Sequence, residues 1–226
     1  MLKMTGVSKA YRSEALEIFA LRGLSIHVKE GEFVAVTGPS GSGKSTFLAI
    51  AGMLDAFTHG QYELDGISVH RMRDHERSRL RNEKIGFVFQ SFNLLNDLTV
   101  LDNVDMPLRY RGIAASDRCR RIESALFRVD LLGSANRYPP ELSGGQQQRA
   151  AIARALAGSP RVLLADEPTG NLDEAMARSI MDLLQELHRD GVTIVVVTHS
   201  AEMTRRAERE VRIVDGSIVQ HPLLCR

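Results

Sequence analysis

Gly38-Pro39-Ser40-Gly41-Ser42-Gly43-Lys44-Ser45-Thr46 is the stretch whose reading decides the fold. It fits the pattern G-x-x-x-x-G-K-S/T at every fixed position. Phe33-Val34-Ala35-Val36-Thr37 just before it is a short apolar run of strand type, and Phe47 to Leu54 just after it reads as a buried helix. Strand, glycine loop and helix in that order is the context in which this pattern cradles a polyphosphate. Glycines let successive backbone N–H groups turn inward, and the helix start adds the positive end of its dipole. Lys44 is then expected to reach the β- and γ-phosphates of a nucleotide, and the Ser45 hydroxyl to ligate Mg²⁺.

The whole chain sets wide bounds around that loop. Its 226 residues suffice for one large α/β domain or two small lobes. Apolar residues at 43% and charged ones at 25% are ordinary for a globular protein, and a net charge of +1 gives no sign of bulk nucleic-acid binding. Cys119 and Cys225 lie far apart and fit no metal spacing, so they are expected as free thiols in a reducing cytosol. The first residues hold no apolar stretch long enough for a signal peptide, and no run of about 18 uncharged apolar residues is present to span a membrane. No long C-terminal extension is expected to house a regulatory domain.

Residues 1–37 show β-type alternation broken by turns; Leu24-Ser25-Ile26-His27-Val28 alternates apolar and polar, and Lys29 to Glu32 is a turn. Tyr11 stands 27 positions before Gly38, where an aromatic is either a base-stacking residue or a packed one. His59 to Ile67 reads as a hairpin with Asp65-Gly66 as its turn. Arg71 to Lys84 mixes five Arg and one Lys with Asp74, Glu76 and Glu83, the pattern of a solvated surface helix rather than a nucleic-acid patch. Ile85 to Gln90 is a second strand ending in a polar Gln. From Ser91 to about Ser159 the pattern is helical, with Pro107, Gly112, Gly133, Pro139 and Pro140 as breaks, and reads as a helical lobe inserted between strands. Arg161 to Asp166 and Val192 to Val197 are continuous apolar runs, as central parallel strands are, with a helix over Ala175 to Arg189 between them. Val211 to Val219 reads as a terminal hairpin.

Asp166 and Glu167 place adjacent carboxylates at the end of a buried strand, the edge at which open parallel sheets bind ligands. Asp166 is suited to hold Mg²⁺ and Glu167 to polarise a water for attack on a γ-phosphate. His199 should emerge at the same edge, as a donor to that phosphate or as a structural residue. Gln90, also at a strand end, is suited to ligate the metal or orient water. Ser143-Gly144-Gly145-Gln146, followed by a helical run to Leu156, is a second helix start built to meet an anion, about 100 residues from the first.

These motifs, with Asn171-Leu172-Asp173, stand in the order and spacing of the ATP-binding-cassette ATPases, and the resemblance spans essentially the whole chain. The longer runs Phe87 to Leu95, Leu142 to Arg149 and Asp166 to Asp173 resemble the branch that contains macrolide exporters and lipoprotein-releasing complexes. The resemblance implies an α/β fold with a P-loop, RecA-like core, an N-terminal antiparallel β-subdomain and an inserted helical subdomain. It divides the single domain into a core of residues 1–90 and 160–226 and a helical part of residues 91–159. It implies two copies packed head-to-tail on two ATPs, with Ser143, Gly145 and Gln146 of one copy, on the Gly144 loop, capping the phosphate held by Lys44 of the other. It makes Tyr11 the adenine-stacking aromatic and Asp173 part of a loop between the two sites. The expected protein is an ATPase subunit, peripheral on the inner face of the cell membrane and docked on transmembrane permease subunits, with no nucleic-acid partner. Phe92, Leu94, Leu95 and Leu98 are candidates either for the apolar lining of a docking groove, between the Gln90 segment and the helical lobe, or for the core. The alternative is a soluble or clamp-type cassette ATPase acting as a regulator without transport.

Overall fold

The computed structural model describes residues 1–12 and 17–219, with only the backbone of Arg12, so Cys225 lies outside the described residues. Strands β1 (Leu2–Arg12), β2 (Glu17–Val28) and β3 (Phe33–Thr37) lead into helix α1 (Lys44–Ala51). Strands β4 (His59–Leu64) and β5 (Ile67–Ser68), helix α2 (Asp74–Lys84) and strand β6 (Ile85–Val88) follow. Helices α3 (Val100–Tyr110), α4 (Ala115–Arg128) and α5 (Gly144–Leu156) come next. Then run β7 (Val162–Asp166), α6 (Glu174–Arg189), β8 (Thr193–Val197), α7 (Ala201–Arg206), β9 (Arg209–Val214) and β10 (Ser217–Val219).

Two sheets result. A four-stranded antiparallel sheet has the order β2-β1-β4-β5, and a six-stranded sheet has the order β10-β9-β3-β8-β7-β6. Five strands of the larger sheet are parallel and β10 closes its edge as an antiparallel hairpin with β9. Successive side chains of a strand point to opposite faces, and each central strand is apolar on both. Phe33, Ala35, Leu163, Ala165, Ile194 and Val196 therefore face α3 to α6, in one core. Val34, Val36, Leu164, Val195 and Val197 face α1 and the smaller sheet, in a second. In β2 the expected alternation holds: Leu24, Ile26 and Val28 are buried, and Ser25 and His27 are exposed.

Several boundaries differ from expectation. Strand β6 ends at Val88 rather than Gln90, so Gln90 stands in the turn that follows it. Helix α1 begins at Lys44 rather than Phe47, because the polar first turn carries no hydrophobic signal, and ends at Ala51 rather than Leu54. Gly52 caps the helix there and lies against the Phe87 ring, where a Cβ would come within 1.9 Å of it, so the position needs glycine. The surface helix starts at Asp74, with Asp74 and Glu76 in its first turn and Arg81 and Lys84 in its last, rather than at Arg71. Pro107 is not a break but sits inside α3. An interior proline costs about 3 kcal/mol. Val100, Val104 and Leu108 are fully buried on the same helix, and at roughly 1.5–3 kcal/mol each their packing outweighs it.

Candidate nucleotide-binding site

Register fixes where the functional loops emerge. Val36 of β3 pairs with Val197 of β8, and Val197 pairs with Asp166 of β7. Three adjacent parallel strands thus end at one level, and the Gly38 loop, Asp166-Glu167 and His199 leave the sheet at a single edge. This is the edge that serves ligands in such sheets.

The loop has the backbone its sequence requires. Gly38 has φ 146°, and a Cβ there would lie 2.0 Å from the Ile213 carbonyl oxygen. Gly43 has φ 104°, and its Cβ would lie 2.4 Å from the Ala20 carbonyl oxygen of β2. Both positions need glycine for conformation and for space. Gly43 caps α1 without any side-chain hydrogen bond, and no acid stands in the first turn, so the positive helix start is uncompensated. The Ser42 hydroxyl is buried without a partner among the described residues, and Lys44 Nζ curls back to donate to the carbonyls of Gly38 and Pro39, each at 2.8 Å. Pro39, Ser40, Gly41 and Ser45 are exposed, and Thr46 is half-buried. A loop with an orphan hydroxyl, an open helix start and a poised cation suits a polyphosphate.

Asp166 is half-buried, and its carboxyl makes no hydrogen bond or ion pair among the described residues. Burial, and then the like charge of Glu167, push its carboxyl above the ordinary aspartate range, while Lys44 pulls the other way. Such an uncompensated carboxylate fits a cation. No cluster of three or more His, Cys, Asp or Glu forms a self-contained metal site among the described residues. A small divalent ion would therefore share Asp166 and the Ser45 hydroxyl with phosphate oxygens, as Mg²⁺ does. Glu167 has φ 43°, its N–H donates to the Val197 carbonyl at 2.9 Å, and its Oε1 stands 2.7 Å from His199 Nδ1.

Gln90 is engaged by a residue that sequence reasoning left without a task. Its Nε2 donates to Asn171 Oδ1 at 3.1 Å, and Asn171 Nδ2 returns a bond to the Gln90 carbonyl at 3.1 Å. Gly170 leaves room for this clasp, since a Cβ there would lie 2.7 Å from Gln90 Nε2. The Gln90 side-chain oxygen has no donor among the described residues and remains open to a metal or water. Tyr11 lies on β1 opposite Ile18 of β2, the strand whose Ala20 backs Gly43. Its ring is half exposed.

The second helix start differs from the first. Ser143 Oγ accepts from the Gln146 N–H at 3.3 Å and Gln146 Oε1 accepts from the Ser143 N–H at 3.0 Å, so α5 carries a capping box. Gly144 and Gly145 pack beside Leu172 and Met176, which sets this loop against the Asp173-capped start of α6. Ser143 itself is exposed.

A groove of about 870 Å³ lies between α2 and β6 on one side and α3 and the end of α5 on the other. Phe87, Phe89, Asn93, Met106, Pro107, Tyr110 and Arg154 are among its lining residues, not the candidates Phe92, Leu94, Leu95 and Leu98. Phe92 and Asn93 have φ of 61° and 50°, and this left-handed turn carries Phe92 toward Gly144 and lets Leu94 pack on the core.

A phosphate loop beside an acid pair on level parallel strands defines a P-loop nucleoside triphosphatase. Comparison with known proteins narrows the class. The family model for ABC transporters matches residues 21–170. An uncharacterised ABC transporter ATP-binding protein of Thermotoga maritima is 50% identical over 218 residues, 96% of this chain and 93% of the relative. The macrolide export ATP-binding/permease protein MacB of Chlorobium luteolum is 45% identical over 97% of this chain, which spans only 33% of that relative. The dimeric post-hydrolysis structure of the cassette MJ0796 with ADP and Pi, from Methanocaldococcus jannaschii, superposes with a TM-score of 0.89 at 44% identity and full coverage of both chains. The chain belongs to the ABC transporter family, as its ATP-binding ATPase subunit. Among the described residues no helix is long and apolar enough to cross a membrane.

Proposed function

We propose that the chain binds ATP with Mg²⁺ on the Gly38–Thr46 loop and hydrolyses it to drive export or mechanical work by transmembrane permease subunits. Lys44 and the N–H groups of the loop hold the β- and γ-phosphates, and Tyr11 stacks on the adenine. Ser45, Asp166 and Gln90 would hold Mg²⁺, which would supply neutralisation of the charge that develops on the phosphate oxygens. Glu167 takes the proton of the attacking water, and His199 keeps Glu167 aimed and senses the γ-phosphate. Ser143, Gly144, Gly145 and Gln146 of a second copy close the site head-to-tail. The exposure of Ser143 supports that role, as does the dimeric form of the MJ0796 cassette.

The division into a core of residues 1–90 and 160–226 and a helical part of residues 91–159 is part of the same proposal. The groove along Phe87, Phe89 and Tyr110 would receive a segment of the permease, since it joins β6 and the residue that follows it to the helical part. The ATP-binding and permease parts combined in MacB support such a partner. The chain would then lie on the inner face of the cell membrane through that partner.

One observation carries the reading: the level ends of β3, β8 and β7, which gather Lys44, His199 and the acid pair at one edge. The test is phosphate release from ATP by the purified chain, with Mg²⁺ and then with the metal chelated. Release that depends on Mg²⁺ is expected. Failure to bind ATP at all would remove the reading.

A further inference from the structure

Tyr11 does not stand alone on its strand. Its hydroxyl donates to Asp55 Oδ2 at 3.0 Å. Lys9, two residues earlier on the same strand, donates from Nζ to Asp55 Oδ1 at 2.6 Å and to the Ala56 carbonyl at 2.7 Å. The same ammonium stands 4.8 Å from the centroid of the Tyr11 ring, within reach of its π face. Both oxygens of Asp55 are thus used, one by each residue of β1. Burial pushes the Asp55 carboxyl up, yet the bonds from Lys9, Tyr11 and the Ala56 amide together hold it below the ordinary aspartate value.

Asp55 is in turn fixed to the phosphate-loop helix. Its N–H, like that of Leu54, donates to the Ala49 carbonyl of α1, at 3.3 and 2.8 Å. The helix whose first turn opens on the phosphate loop therefore holds, just past its far end, the carboxylate that grips Tyr11. A half-exposed tyrosine on a strand otherwise samples several rotamers, and a ligand that stacks on it must first restrict them. Here a hydrogen bond restrains the ring, and a cation lies against it.

We propose that Asp55 is a positioning residue for the nucleotide base: it orients Tyr11, while Lys9 covers one face of the ring and leaves the other for adenine. The inference rests on the reading of Tyr11 as the base-stacking residue. Asp55 touches no part of the nucleotide and acts only through Tyr11, so its effect depends on the base and not on the phosphates.

The experiment is calorimetric binding of ATP and of inorganic tripolyphosphate, which has no base, to the full chain and four variants: Tyr11→Phe, Tyr11→Ala, Asp55→Ala and Tyr11→Phe/Asp55→Ala. Tyr11→Phe keeps the ring and removes only the hydroxyl, so it tests the grip even where Asp55→Ala impairs folding. Tyr11→Phe and Asp55→Ala are each expected to weaken ATP about three- to tenfold, the worth of one hydrogen bond. The double variant is expected to be no weaker than the poorer single one, with tripolyphosphate binding held within about twofold throughout. If Asp55→Ala weakens tripolyphosphate as much as ATP, Asp55 shapes the loop and the inference fails. If Tyr11→Ala selectively weakens ATP while Tyr11→Phe does not, stacking stands and the positioning role is wrong. If Tyr11→Ala leaves ATP binding unchanged, the base lies elsewhere and the stacking reading falls with it.

Discussion

Glu167 Oε1 lies 2.7 Å from His199 Nδ1, a contact that spans the ends of two neighbouring parallel strands. Glu167 is largely sheltered, with 15% of its side chain exposed, while His199 is open at 74%. The carboxylate is thus the fixed member and the imidazole the one that meets a ligand first. His199→Ala should leave ATP affinity within a few-fold and lower turnover by about 10²-fold, the lower end for loss of a general acid–base group. Steady-state kinetics beside equilibrium binding separate the two, and an unchanged turnover would show that Glu167 needs no such partner.

Lys44 is the one cation of the loop, and in the described structure it bonds only to the Gly38 and Pro39 carbonyls. Lys44→Ala therefore removes no structural ion pair. Melting temperature should fall modestly, for the two carbonyl bonds lost and the charge no longer offset at Asp166, while nucleotide affinity and hydrolysis both collapse. Normal ATPase activity in this variant would displace the phosphate site.

Asp166 makes a prediction of opposite sign for stability and for binding. Its carboxyl is raised above the unfolded value of 3.8, by burial first and by Glu167 second. The folded chain then binds a proton more readily than the unfolded one, so ionising Asp166 opposes folding at neutral pH. This penalty is full above the raised value, shrinks as pH falls through it, and is gone below 3.8. Asp166→Asn should thus raise the melting temperature without nucleotide at pH 7, with a smaller gain near pH 4, while weakening Mg²⁺-dependent ATP binding. A melting temperature lowered at pH 7 would contradict the assigned charge balance.

Arg154 donates to the carbonyls of Phe92, at 2.9 Å, and of Asn93, and so ties the end of α5 to the turn after Gln90. Bonds from a charged donor that is largely buried are worth about 1.5–3 kcal/mol each, so Arg154→Ala should destabilise the chain by roughly 2 kcal/mol or more. Urea unfolding measures this directly, and a loss below about 0.5 kcal/mol would mean that solvent replaces both bonds.

How much of this was legible in the sequence follows from the range of each signal. The loop, the acid pair and His199 stand at or just past the ends of apolar strands, and local pattern is enough to place them at one edge. The clasp between Gln90 and Asn171 joins residues 81 positions apart through two side-chain amides, and no periodicity reports it. Asp55 gives no sequence signal for the same reason: its partners Lys9 and Tyr11 lie more than 40 positions away. Phe92 and Asn93 adopt a left-handed turn that their residue types do not announce, and Leu94 takes the core alternative rather than the groove. Pro107 misled because burial of Val104 and Leu108 on the same helix outweighs a local preference.

The central claim is that this chain hydrolyses ATP with Glu167 as the base and does so between two copies. Glu167→Gln keeps the shape and removes the basicity. Light scattering of this variant with ATP and Mg²⁺, read together with phosphate release, tests both halves at once. A monomer without nucleotide, a stable dimer with ATP, and hydrolysis slowed by about 10²–10⁴-fold are expected. A variant that hydrolyses ATP near the parent rate and stays monomeric with ATP would contradict it.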